Sequence, residues 1–137
     1  MIRLRSMVFL LFVGCSVGGA QTPQLDQCMA KANTQMAMNL CAEYEAIRSD
    51  DELAGQYNRL LVTADSVPGA VEKIIAVQEA WRSYRDAYIN AMYPAEDKQA
   101  TYGSVFQMET LLLRADLTRR QILAVRELVK RYESSAK

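Results

Sequence analysis

Residues 28–41 read CMAKANTQMAMNLC, and the way this stretch folds sets the architecture of the chain. Cys28 and Cys41 are 13 positions apart. On one straight helix that separation spans about 20 Å, whereas a disulfide holds its two Cα atoms about 5.5 Å apart. If the two cysteines bond, the backbone must reverse between them. Asn33-Thr34 is the natural place, since either residue can cap the start of a new helix. The chain before Asn33 then folds back on the first turns of that helix. Closing such a loop stabilises a fold by about 3 kcal/mol in the chain-entropy picture.

Whether the bond forms depends on compartment, and the N-terminus speaks to that. Arg3 and Arg5 precede the apolar run Met7–Val13, MVFLLFV. A charged start followed by a short apolar core is the layout of a secretory signal, and the run is too short to span a bilayer. Two processing sites compete. Gly18-Gly19-Ala20 offers small residues before Gln21, giving a signal peptide over residues 1–20 and a mature domain over 21–137. Phe12-Val13-Gly14-Cys15 is the alternative, a lipobox in which Cys15 is lipidated and becomes the N-terminus. Either route exports the protein to the periplasm or beyond, or anchors it as a membrane lipoprotein. Either also removes Cys15 from pairing, so that of the three cysteines Cys28 and Cys41 are left to oxidise.

Downstream, apolar residues recur at helical spacing. One helix carries Met38, Cys41, Tyr44 and Ile47, then Leu53, Tyr57, Leu60 and Ala64, with Ser49-Asp50-Asp51 interrupting the stripe. Asp65, Ser66, Pro68 and Gly69 break the chain. A second helix runs from Ala70 to Met92 with Ile74, Val77, Trp81, Tyr84 and Tyr88 (or Ile89) on one stripe, and Pro94 stops it. The polar stretch 94–103 reads as a loop. A third helix starts near Ser104 and carries Met108, Leu112, Ala115, Ile122, Val125, Val129 and Tyr132. No strand alternation intervenes. The expected fold is all-α: a small antiparallel bundle of three long helices, with a short N-terminal helix near residues 26–32 tied back by the disulfide. Residues 21–25 read as a lead-in around Pro23. Met29, Met36, Met38, Met92 and Met108 read as adaptable core fillers.

Composition narrows the chemistry. The chain has 137 residues, 16 basic and 16 acidic, and no histidine. Without histidine there is no Ser-His or Cys-His nucleophile, no imidazole acid–base and no His-containing zinc site. No CxxC or glycine-rich phosphate loop is present. The near balance of charge argues against nucleic acid as a partner. Charge is uneven along the chain, however: residues 21–80 hold 9 acidic and 4 basic side chains, residues 81–137 hold 7 and 10. The simplest consequence is one helix docked against another of opposite sign; the alternative is an acidic face that meets a basic partner. These features point to a non-enzymatic binding or structural protein with no cofactor and no metal.

Two blocks, Thr34-Gln35…Met38-Asn39…Cys41-Ala42 and Ala80-Trp81…Tyr84-Arg85-Asp86-Ala87, occur in order, followed by Gly103-Ser104 and Leu117-Thr118 with Arg120. Together they resemble the lysozyme-inhibitor LprI-like domain family over roughly residues 26–128. The resemblance implies an exported helical protein, sometimes lipid-anchored, whose named activity is inhibition of lysozyme. The family pattern has a second cysteine pair, near Ile89 and near Leu113; both positions are apolar here, making this chain a one-disulfide variant. The implied partner is a lysozyme or another envelope protein, with the membrane reached only through a lipid anchor. The partner-contacting candidates are Trp81, Tyr84, Arg85 and Asp86 on the second helix, and Glu96, Asp97 and Tyr102 in the following loop. Trp81 and Tyr84 have core packing as their simpler role. Arg85 has a salt bridge to the first long helix as its simpler role, and it is also placed to stack on Trp81. Arg82 is placed to pair with Asp86, four positions on. A glycan-acting enzyme would need two facing carboxylates.

Overall fold

The structure is a computed structural model, and it describes residues 22–135. The leader over residues 1–20 and Cys15 lie outside the described residues. Five helices follow in order: α1 (Pro23–Lys31), α2 (Gln35–Ala64), α3 (Ala70–Met92), α4 (Lys98–Tyr102) and α5 (Phe106–Ser135). The described residues contain no strand, and the fold is all-α.

The reversal between the cysteines occurs where expected. Thr34 caps α2, its hydroxyl accepting from the Ala37 amide at 3.1 Å. Cys28 and Cys41 are bonded with their Cα atoms 5.7 Å apart. Helix α1 begins earlier than the sequence suggested. Thr22 is its N-cap and Pro23 its first residue, so the expected lead-in is the helix's first turn. Proline suits that position because the amide it lacks would have no partner there.

Helices α2 and α5 form the spine of the molecule. Side chains link them in rising order along both helices: Asn39 to Gln107, Asp50 to Arg114, Tyr57 to Gln121, Arg59 to Glu133. The two therefore run parallel, and α3 returns antiparallel between their ends. The charge asymmetry of the sequence resolves here. Glu45, Asp50 and Glu52 of α2 meet Arg119, Arg114 and Arg126 of α5. Acidic helix docks on basic helix within one molecule.

The core lies toward the C-terminal ends of the spine. Leu53, Tyr57, Leu60 and Ala64 of α2 pack with Ile122, Val125 and Val129 of α5 and with Ala70 and Ile74 of α3. Those stripes follow the expected periodicity. The N-terminal half of α2 does not. Of its expected stripe Cys41 is buried but Tyr44 and Ile47 are exposed, and the other buried positions are Ala42, Glu45, Ala46 and Ser49. Small side chains on that face, opposite the buried Ala115 and Thr118 of α5, let the two backbones approach closely. Large residues are then excluded from the contact and turned outward. Met36 and Met92 are likewise exposed and fill no core gap.

Ser49-Asp50-Asp51 does not interrupt α2. Ser49 turns its hydroxyl back onto the Glu45 carbonyl at 2.9 Å, inside the helix. The 65–69 break is present and ends on Gly69, whose φ of 71° is the left-handed region that glycine adopts without penalty. α3 stops at Met92, before Pro94. The stretch 94–103, expected as a loop, contains α4, a turn too short to show periodicity; Asp97 caps it by accepting from the Ala100 amide at 2.9 Å. Helix α5 starts at Phe106, two residues after Ser104, with the Val105 carbonyl accepting from the Glu109 amide. Ile89 on α3 and Leu113 on α5, which stand where the family pattern has cysteines, are both half-buried.

Candidate functional site

Asp50 sits midway along α2 and faces α3 and α5. Its Oδ1 accepts from the Thr118 hydroxyl at 3.2 Å, its Oδ2 accepts from Arg114, and Arg85 of α3 approaches to 4.0 Å. Arg85 is the best packed of these cations. Its guanidinium lies 5.1 Å from the centre of the Trp81 ring, and its Nε donates to Asp86 at 2.8 Å. Both expected roles of Arg85 are therefore present: the salt bridge to the first long helix and the stack on Trp81. The adjacent Arg85 and Asp86 pair with each other, where the sequence suggested Arg82 as the partner of Asp86.

Around this cluster the three long helices leave a cleft of about 240 Å³, lined among others by Asp50, Gln78, Trp81, Arg82, Arg85 and Arg114. Trp81 packs one edge of the core. Tyr84, one turn on, is 55% exposed and does not pack into it; its ring contacts Tyr88 at 5.8 Å instead. The reason is the course of α3. Only Ala70 and Ile74, near its start, are buried, so apolar residues later in the helix have no helix to cover them.

The second group of candidates lies in and around α4. Tyr102 is held in a cluster with Tyr93 and Phe106, ring centres 5.2 and 5.8 Å away, and its hydroxyl accepts from the Ala95 amide. Asp97 is the α4 cap, and Glu96 is exposed. The structure thus brings Trp81 and Arg85 to one cleft, and leaves Tyr84, Asp86, Glu96, Asp97 and Tyr102 outside its lining.

The cleft residues that sequence reading passed over are Asp50 and Arg114, along with Arg82 as a cleft cation. Nothing in the local pattern marks Asp50 or Arg114; they meet only because α2 and α5 pair in parallel. Among the residues lining the cleft Asp50 is the single carboxylate, so the paired carboxylates of glycoside hydrolysis are not assembled there. Among the described residues no group of three or more cysteines and carboxylates is placed to hold a metal ion.

One titratable group borders this region. Tyr57 is buried, and its hydroxyl accepts from the Gln121 side chain at 2.9 Å. Burial pushes its hydroxyl above the ordinary tyrosine range, with the Gln121 hydrogen bond and the nearby Arg82 charge pulling the other way. A raised native value means that Tyr57 contributes fully to stability below about pH 10, the unfolded value, and that the contribution is lost as pH rises through the native one. In an alkaline absorbance titration Tyr57→Phe is expected to remove one late-ionising phenol. Loss of that phenol from the early part of the titration curve instead would show that Tyr57 ionises with the exposed tyrosines.

Comparison with known proteins places this geometry. The family profile described as lysozyme inhibitor LprI matches residues 28–124, from the first bonded cysteine into the core turns of α5. The chain belongs to the LprI lysozyme-inhibitor family. An uncharacterised protein of Rhizobium meliloti (strain 1021) is 30% identical over 146 residues, covering 97% of this chain and all of that protein. No solved structure matches. Within the LprI match lie the disulfide, most of the α2–α5 spine and every cleft residue named above.

Proposed function

We propose that this protein is an exported, non-enzymatic member of the LprI family that binds and inhibits a lysozyme. The observation that carries this reading is the family match, which spans the disulfide, the cleft and most of the spine. The signal-like leader Arg3–Val13 supports export, with release after Ala20 or lipid attachment at Cys15 as the two routes. Among the described residues no helix is long and apolar enough to cross a membrane. The cleft's lone carboxylate and the absence of histidine support binding rather than catalysis.

The test is inhibition of a panel of lysozymes from different structural classes by the purified oxidised protein, with direct binding measured in parallel. Sub-micromolar inhibition of at least one class is the expected result. Absence of both binding and inhibition across the panel would remove lysozyme as the target.

A second reading, an envelope adaptor that binds another envelope protein, is favoured by the exposed apolar residues. Val77, Tyr84, Tyr88 and Met92 of α3 are all open to solvent, and apolar surface of this kind commonly marks protein contacts.

A further inference from the structure

The cleft is oversupplied with cationic donors. Each guanidinium carries several N–H donors and accepts nothing, yet Arg82, Arg85 and Arg114 share one lining carboxylate, Asp50. Asp86 takes the Nε of Arg85. Among the described residues Arg82 has no ion-pair partner, and the buried Nε of Arg114 has no acceptor. The site has a local positive excess and donors to spare, the complement of a carboxylate.

The cleft does not stand alone on its face of α2. Met36, Leu40, Tyr44 and Ile47 follow at steps of four, four and three residues, so they share one side of the helix. They are 75%, 46%, 66% and 51% exposed. Ile47 is three residues from Asp50 and seven from Ala54, both of which line the cleft, so the apolar strip leads along the helix into the cationic pit. The strip is about 16 Å long, and a pit of about 240 Å³ accommodates one side chain rather than a whole ligand.

We infer that the Met36–Ile47 face of α2 and the Arg82–Arg85–Arg114 cleft form one docking surface for a protein segment that presents apolar side chains followed by an aspartate or glutamate. A saccharide carboxylate matches the pit but makes no use of four exposed apolar side chains, which is why a peptide is the occupant. The inference goes beyond the inhibitor reading and does not depend on it: a negative lysozyme panel leaves this surface and its partner chemistry unchanged.

The chain has a single tryptophan, Trp81, which lines the cleft and reports on its occupancy. The experiment selects a phage-displayed library of random peptides on the oxidised protein, then titrates synthetic copies of the enriched peptides against Trp81 fluorescence. The expected peptides carry an acidic residue beside apolar ones and change the Trp81 signal. Their affinity should fall at least about tenfold for Arg82→Glu, the cost of losing a charge-assisted hydrogen bond, and should fall separately for Ile47→Asp. Arg82 and Ile47 are exposed, so both variants should keep the helical circular dichroism of the native protein. Peptides in which lysine replaces the acidic residue should regain binding to Arg82→Glu. No enrichment, enrichment of basic peptides, or equal binding to Arg82→Glu would overturn the inference. So would glucuronate changing the Trp81 signal where no peptide does, which would assign the pit to an acidic sugar.

Discussion

Replacing Glu45 by alanine is expected to destabilise the protein by about 3–5 kcal/mol, the cost of breaking a buried ion pair by removing one partner. Glu45 is 2% exposed and faces α5. One carboxylate oxygen accepts from Arg119 of α5 at 2.7 Å; the other accepts from Arg48 and from the Thr22 hydroxyl, the latter at 2.8 Å. A single side chain thus connects α1, α2 and α5. Its removal leaves the largely buried Arg119 without its closest carboxylate, and Asp116 at 3.6 Å is a weaker substitute. Thr22 loses the acceptor that fixes the cap of α1. Domains of this size have total stabilities of about 5–15 kcal/mol, so the loss is a large fraction of the whole. Urea unfolding should show a clear fall in midpoint at unchanged slope. A loss below about 1 kcal/mol would mean that the charge cluster contributes little net energy. Glu45→Gln separates charge from hydrogen bonding, and it should fall between native and alanine.

The second large effect is expected from the disulfide. The double replacement Cys28→Ser with Cys41→Ser should cost about 3 kcal/mol, through the freedom regained by the unfolded loop. The loss has a location as well as a size. Helix α1 is held to α2 by the bond, by the buried Leu25 and by the Thr22–Glu45 hydrogen bond. Without the bond, amides of α1 should exchange with solvent well before those of the α2–α5 core, because a nine-residue helix has little stability of its own. If α1 exchanges as slowly as the core in the serine variant, Leu25 and Thr22 suffice to hold it. Because Glu45 and the disulfide anchor the same helix, their effects should not add. Once α1 has been released, Glu45→Ala loses only the Arg119 part of its role.

The candidate site divides in the same way. Arg85 was legible because its partners are close in sequence or chemically obvious: Trp81 is one turn away, and an acidic helix precedes it. Asp50 looks in sequence like an interruption of a stripe, since an exposed polar run is the ordinary meaning of Ser-Asp-Asp within a helix. Its role as acceptor for Arg114 and Thr118 requires a helix 64 residues further along the chain. Spacing alone puts Tyr84 on a core stripe, but periodicity gives the side of a helix and not whether anything covers it.

Local chemistry in the sequence determined the all-α class, the three long helices, the reversal at Thr34, the stop before Pro94 and the pairing of Cys28 with Cys41. Each follows from interactions within about one turn or from the reach of a covalent bond. Tertiary packing decided which face of each helix is buried. Close approach of α2 and α5 selects alanine, serine and threonine for the seam, buries Glu45 against Arg119, and turns Tyr44 and Ile47 outward. Side-chain size and charge in the sequence point the opposite way at those positions. Only the parallel pairing of two helices far apart in the chain makes the seam narrow enough to exclude large residues and dry enough to require that the carboxylate be paired.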